Sequence, residues 1–301
     1  MKRVIIVAII LVATSLNAAA DFAEDFQAAK KLFNEKEYEA AHDAFVKLAE
    51  AAPNERGKAP SLSYAAIALR RLDRYDEAIA LAKTIESKPM AAYTKMTIMT
   101  EARKHKELAE AFKDEDIAAW PDAINYKGFS MRGTARNVAR DRQGALGYFE
   151  QCVALAGSDV WKKLEAMTNA ASLCHRLGDD AKALATYRNV LAVYEKQPGR
   201  KGIWHFPHTV LGAADVLTGQ KKYDEALALL AAYEVKPDKE KRNVWDFLVL
   251  EARGDSYAGQ GKKAEALAAY REALAIQTHQ GYMDRVEKKA AELENEEGKA
   301  Q

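Results

Sequence analysis

Seven short motifs recur along the chain at nearly constant spacing, and no other feature limits its fold as strongly. Each has an aromatic or polar residue, two residues that are often charged, and a small or aliphatic anchor, with a bulky residue four positions on. Copies read Tyr38-Glu39-Ala40-Ala41 with Phe45, Tyr75-Asp76-Glu77-Ala78 with Ala82, and Arg142-Gln143-Gly144-Ala145 with Phe149. Others read Asp180-Ala181-Lys182-Ala183 with Tyr187, Tyr223-Asp224-Glu225-Ala226 with Leu230, and Lys263-Ala264-Glu265-Ala266 with Tyr270. A weaker copy, His105-Lys106-Glu107-Leu108 with Phe112, fills the one long gap. The anchors therefore fall at 41, 78, 108, 145, 183, 226 and 266, spaced 37, 30, 37, 38, 43 and 40 residues apart. Self-similarity at this period means one supersecondary unit stacked on copies of itself.

Within a unit the pattern is helix, short turn, helix. A second amphipathic segment precedes each anchor, with a small residue about twelve positions upstream. Paired small residues let two helix backbones approach closely, and the bulky residue one turn later fills the space beside them. Composition agrees: Ala, Leu, Glu and Lys dominate, and the chain has only 16 Gly and 7 Pro. Helix is the expected state throughout.

On these motifs the chain resembles the tetratricopeptide-repeat family, whose repeat of about 34 residues is a pair of antiparallel helices. The last repeat carries the likeness best, with Gly254, Tyr257, Ala266, Tyr270 and Ala273 on family positions; the first keeps Ala29, Ala41, Phe45 and Pro53. The resemblance implies an all-α, right-handed solenoid of about seven helix pairs over 21–279, about fifteen helices in total. Residues 280–297 read as a capping helix, with Tyr282, Val286, Ala290 and Leu293 on one face, because the last repeat of a solenoid otherwise exposes its stacking surface. Residues 298–301 are expected to fray.

In this family the first helix of each pair lines the concave surface where extended peptides or helices are held. The matching positions here include Arg70, Arg71, Tyr93, Glu101, Thr134, Asn137, His175 and Arg176, with Ser172, Leu211, Asp215, Glu251 and Asp255 further along. The family's Lys/Asn clamp for a terminal carboxylate is not reproduced. Arg132, Arg136 and Arg140 recur every fourth residue and suggest a stripe on one first helix. Such a stripe either pairs with Glu101, Asp141 or Glu150, or reads an acidic peptide or a glycan, since guanidinium forks suit carboxylates. Trp120, Trp161, Trp204 and Trp245 stand just before four successive first helices, with N-caps expected at Ser158 and Asn243. They read as packing over repeat junctions. Cys152 and Cys174, the only two cysteines, fall on neighbouring helices and make a candidate disulfide, or else two buried thiols.

The N-terminus reads as an export signal. Lys2 and Arg3 precede an apolar run from Val4 to Val12, and Ala18-Ala19-Ala20 offers a small-residue cleavage site. The run is too short for the roughly 20 residues that span a bilayer; an uncleaved anchor is the other reading. Cleavage near Ala20 leaves 43 basic against 44 acidic residues, a balance that argues against nucleic acid. The mature chain is expected in the periplasm or outside the cell, with no membrane span.

Catalytic signatures are missing. No phosphate loop, HExxH, nucleophile elbow or metal-spaced cysteine set occurs, His205 and His208 lack companions, and the repeats leave no stretch for a catalytic domain. The expectation is a non-catalytic scaffold or adaptor, without cofactor, that holds a protein or peptide in its groove. The alternative is a glycan- or peptide-binding accessory of an envelope enzyme, with its site near Tyr93, Arg136 and His175, in repeats three to five.

Overall fold

A computed structural model describes residues 21–196, 205–236, 242–276 and 278–298. The expected export signal, Trp204 and most of the expected frayed tail lie outside those residues. Among the described residues there are fifteen α-helices and no strand. The chain divides into two compact units, Met1–Ala145 and Leu146–Gln301.

The first unit holds α1 (21–34), α2 (Tyr38–Ala51), α3 (Glu55–Arg71), α4 (Tyr75–Lys83), α5 (Lys88–Glu101), α6 (His105–Ala111) and α7 (Asp122–Val138). The helix α8 (Arg142–Leu155) begins at its end. The second unit continues with α9 (Val160–Arg176), α10 (Asp180–Lys196), α11 (His205–Gly219), α12 (Tyr223–Ala231), α13 (Val244–Gly259), α14 (Lys263–Leu274) and α15 (Gln280–Gly298). Within each unit an odd-numbered helix opens a pair and the next even-numbered one closes it, as in α3 with α4, α9 with α10 and α13 with α14, and α15 packs on α14. In each unit the helices therefore form an α-solenoid of pairs.

All seven anchors are completely buried. One backbone device sets each of them. At the turn inside every pair a single residue adopts the left-handed conformation: Lys36, Asp73, Arg103, Arg140, Gly178, Lys221 and Gly261. The next amide donates back to the carbonyl five residues earlier, as in Glu37 to Leu32, Asp141 to Arg136 and Lys262 to Tyr257. This closure satisfies carbonyls that a helix end leaves open. Each anchor follows its left-handed residue by five positions, so the turn fixes which face of the second helix turns inward.

Opposite the anchors lie Ala29, Ala66, Ala171, Ala214 and Gly254, all buried as the close-approach rule requires. In the third pair that place is taken by Met96, and α6 has only seven residues before the chain passes through a single 3-10 turn at Ile117–Ala119. The weak third motif is thus an irregular repeat. Helix starts follow local chemistry. Asn54 accepts the Gly57 N–H at the head of α3, and Asn243 and Asp246 form a reciprocal capping box on α13. The cap of α9 is Asp159, which accepts the Lys162 N–H at 3.1 Å, and not Ser158. Trp161 and Trp245 sit inside the first turns of α9 and α13, one residue further in than their spacing suggests. Trp120 is buried before α7, its indole N–H donating to Glu115 at 3.1 Å.

Cys152 and Cys174 are both buried free thiols, so the candidate disulfide is not formed. Burial pushes the Cys152 thiol up to about 12 and raises that of Cys174 as well. They serve as small apolar residues.

Candidate functional site

In the second unit α9, α11 and α13 lie side by side, joined below their outer faces by buried or half-buried hydroxyl pairs. Thr168 bonds Thr209 at 2.9 Å, and Thr218 bonds Ser256 at 3.2 Å. In each pair one hydroxyl donates to its partner and the other to a carbonyl of its own helix, as Ser256 does to Ala252, so both oxygens are satisfied. Above these links the helices line a cleft of about 620 Å³.

The lining follows helical spacing. Ser172, His175 and Arg176 come from α9; His208, Leu211, Gly212 and Asp215 from α11; Leu248, Glu251, Ala252 and Asp255 from α13. Residues three, four and seven apart share one helix face, which is why each helix shows one row. Tyr187 of α10 closes the bottom. Its ring lies so close to the α11 backbone that a Cβ on Gly212 would collide with it, and burial raises its hydroxyl to about 12. Tyr282, Arg285 and Lys289 of α15 make the last wall. They escaped the sequence reading, which gave α15 only a capping task.

The polar groups of the cleft are strongly coupled. Glu251 is buried; it accepts from Arg285 Nε at 2.7 Å and from a second guanidinium nitrogen, and from Lys289 Nζ at 2.8 Å. Burial resists ionisation of Glu251, but those donors outweigh it and hold the carboxyl below its ordinary value. Lys289 also bonds both oxygens of Asp255 at 2.7 Å, and Asp255 accepts the Tyr270 hydroxyl at 2.7 Å. The Arg285 guanidinium lies over the Tyr282 ring, 5.1 Å from its centroid. At the other end His175 meets Asp180 through Nδ1 at 2.6 Å and Asp215 through Nε2 at 3.2 Å.

The first unit gathers a smaller set. Arg71 pairs with Glu101 at 2.7 Å, Arg70 donates to the Glu101 backbone carbonyl at 3.1 Å and to Asp73 at 2.8 Å. Tyr93 lies half-buried two turns before Glu101 on α5. Burial lifts both the Tyr93 hydroxyl and the Glu101 carboxyl, the latter against the pull of Arg71 and Arg70. One Glu101 oxygen is buried without a hydrogen bond.

The arginine stripe is not a stripe. Arg132 is fully buried, and Arg136 pairs with Asp141 at 2.8 Å within its own repeat. Arg140 lies beyond the end of α7 as the left-handed turn residue, exposed and off the helix face. The every-fourth-residue count fails because the helix stops at Val138. Thr134 and Asn137 remain on α7, the Thr134 hydroxyl turned to the Ser130 carbonyl at 3.0 Å. Among the described residues no three His, Cys, Asp or Glu side chains converge as metal ligands.

Residues 207–295 match a family profile for a tetratricopeptide repeat-like domain, and residues 166–201 match a tetratricopeptide repeat. Both matches fall in the second unit and cover its cleft helices. No curated protein matches the chain. Among solved structures the chain is similar to a tetratricopeptide repeat protein from Parabacteroides merdae ATCC 43184. There the identity is 12%, the TM-score 0.53, and the match covers 89% of this chain and 97% of that one. It is similar also to the C-terminal part of a repeat-containing protein of the same kind from Cytophaga hutchinsonii, at 17% identity and a TM-score of 0.50, covering 86% of this chain and 98% of that one. At these identities the likeness concerns the fold.

Proposed function

The chain is a tetratricopeptide-repeat protein, and on that premise we propose that it is a non-catalytic scaffold that holds a protein or peptide partner against its first helices. The observation that carries this reading is the cleft in the second unit. Four helices there expose aligned rows around a space of about 620 Å³, a volume in the range of ligand-binding pockets. Its lining mixes apolar surface with fixed charges. His175 and Arg176 are partner-facing in this reading, and Arg70, Arg71, Tyr93 and Glu101 form a second, separate contact surface on the first unit.

We place the work of the scaffold outside the cytoplasm, on the basis of the basic, apolar and small-residue order of residues 1–20. Among the described residues no helix is long and apolar enough to cross a membrane. Fusing residues 1–20 to a reporter enzyme active only after export tests this; activity confined to the cytoplasmic fraction defeats it.

Site-specific photocrosslinking tests the scaffold itself. A photoreactive residue at Leu248, in the cleft, should capture a discrete protein partner, whereas one at Asn189, exposed on α10, should not. Equal capture at both positions, or none at Leu248, would reject the reading. A carbohydrate retained by the purified chain in place of a protein would favour a glycan-binding accessory.

A further inference from the structure

Several charged groups of the cleft are spent on each other, and two that keep an open side stand on opposite flanks of α13. Glu251 receives three donors, and Asp255 receives two. All of Lys289's reach goes to those two carboxylates. Arg285 differs: Nε and one terminal nitrogen dock on Glu251, leaving the Nη1 edge uncommitted on a side chain that is 44% exposed. Asp215 of α11 has one contact, His175 Nε2 at 3.2 Å, and its side chain is 74% exposed. Between them run Leu211, Leu248 and Ala252, an apolar strip.

We infer that this cleft selects a peptide segment carrying one acidic and one basic side chain on either side of an aliphatic residue. The inference rests on the scaffold reading and names what that scaffold would hold. Arg285 is a donor of fixed direction, since its fork is clamped on a buried carboxylate and its plane lies over Tyr282, so meeting an acidic side chain costs it little rotamer freedom. Asp215 accepts a basic side chain at the other flank. The aliphatic residue covers the Leu211–Leu248–Ala252 strip and removes water from both ion pairs, which strengthens them. A uniformly acidic or uniformly basic segment would meet one like charge and is disfavoured. The sequence places Asp215 among groove positions but gives no sign of Arg285, because α15 follows the last repeat.

Panning a random heptapeptide display library on the full-length chain tests the inference. Enriched peptides should carry an acidic and a basic residue flanking Leu, Ile or Val. Against Asp215→Lys, which leaves the Glu251 network intact, the basic residue should be replaced by a second acidic one. Resynthesised parental peptides should then bind at least tenfold more weakly by fluorescence anisotropy. Against Arg285→Gln the acidic preference should fade while the basic one stays; circular dichroism checks that this variant folds, and Asp215→Lys decides alone if it does not. Enrichment of the same peptides by the parent and Asp215→Lys, or of peptides of one charge sign, overturns the inference but leaves the scaffold standing. No enrichment on any chain overturns both.

Discussion

Glu101 and Glu251 are both first-helix carboxylates facing basic side chains, and their surroundings drive them in opposite directions. Glu251 has its donors on every side, so its folded carboxyl titrates below the ordinary 4.5. The stability it contributes is present above that value and is lost as the pH falls through its lower folded one. Glu101 has one oxygen buried without a partner, and burial lifts its carboxyl above 4.5. Its favourable contribution belongs to the protonated form and disappears as the pH rises through the raised value. Glu251→Gln should therefore cost about 1.5–3 kcal/mol at pH 7, since hydrogen bonds to charged groups are the stronger ones, and the deficit should shrink as the pH falls below 4.5. Glu101→Gln should leave the melting temperature at pH 7 unchanged or higher. Thermal melts of the two variants across pH check both signs. At the same scale, a Cβ on Gly254 would strike the Tyr270 ring, which holds Asp255. Gly254→Ala should cost about 1–3 kcal/mol, as overpacking does, read as a lowered denaturation midpoint.

At the scale of elements, the repeated unit is the pair together with its left-handed turn residue. Five of the seven turns place a side chain where glycine is preferred: Lys36, Asp73, Arg103, Arg140 and Lys221. A non-glycine residue there costs roughly 1 kcal/mol. Lys221→Gly should thus stabilise the chain by up to about 1 kcal/mol, and Gly261→Ala should destabilise it by a similar amount, both measured by chemical denaturation. These turns also mark where the sequence was readable and where it was not. Anchors such as Ala145 and Ala226 stand out because their burial is enforced by a pattern that recurs seven times. Arg140 does not: with no glycine to flag the helix end, its spacing from Arg136 counts as one more turn of α7. Likewise Cys152 and Cys174 lie on neighbouring helices by sequence, yet neighbouring helices do not ensure that two thiols face each other.

For the molecule as a whole, a solenoid's stability is a sum of local terms, since each repeat rests mainly on its neighbours. Phe45 is fully buried and stacks on Tyr64 with centroids 4.9 Å apart. Phe45→Ala should cost about 3–5 kcal/mol, and hydrogen exchange should show lost protection in α1 to α4 while α13 to α15 keep theirs. Loss of protection across all fifteen helices would mean that the chain unfolds as one cooperative body. The candidate cleft was half legible for a related reason. His175, Asp215 and Glu251 follow from the repeat register, whereas Arg285 reaches Glu251 across 34 residues and leaves no periodic trace. The turns have one more consequence, which concerns insertions and deletions. Spacing between anchors varies from 30 to 43 residues, while the step from left-handed residue to anchor is always five. Lengthening the connections between pairs leaves every buried face where it was, but removing a single residue from a turn would rotate the second helix by roughly 100°. Length polymorphism in such a chain should accordingly collect between pairs and be absent from the seven turns within them.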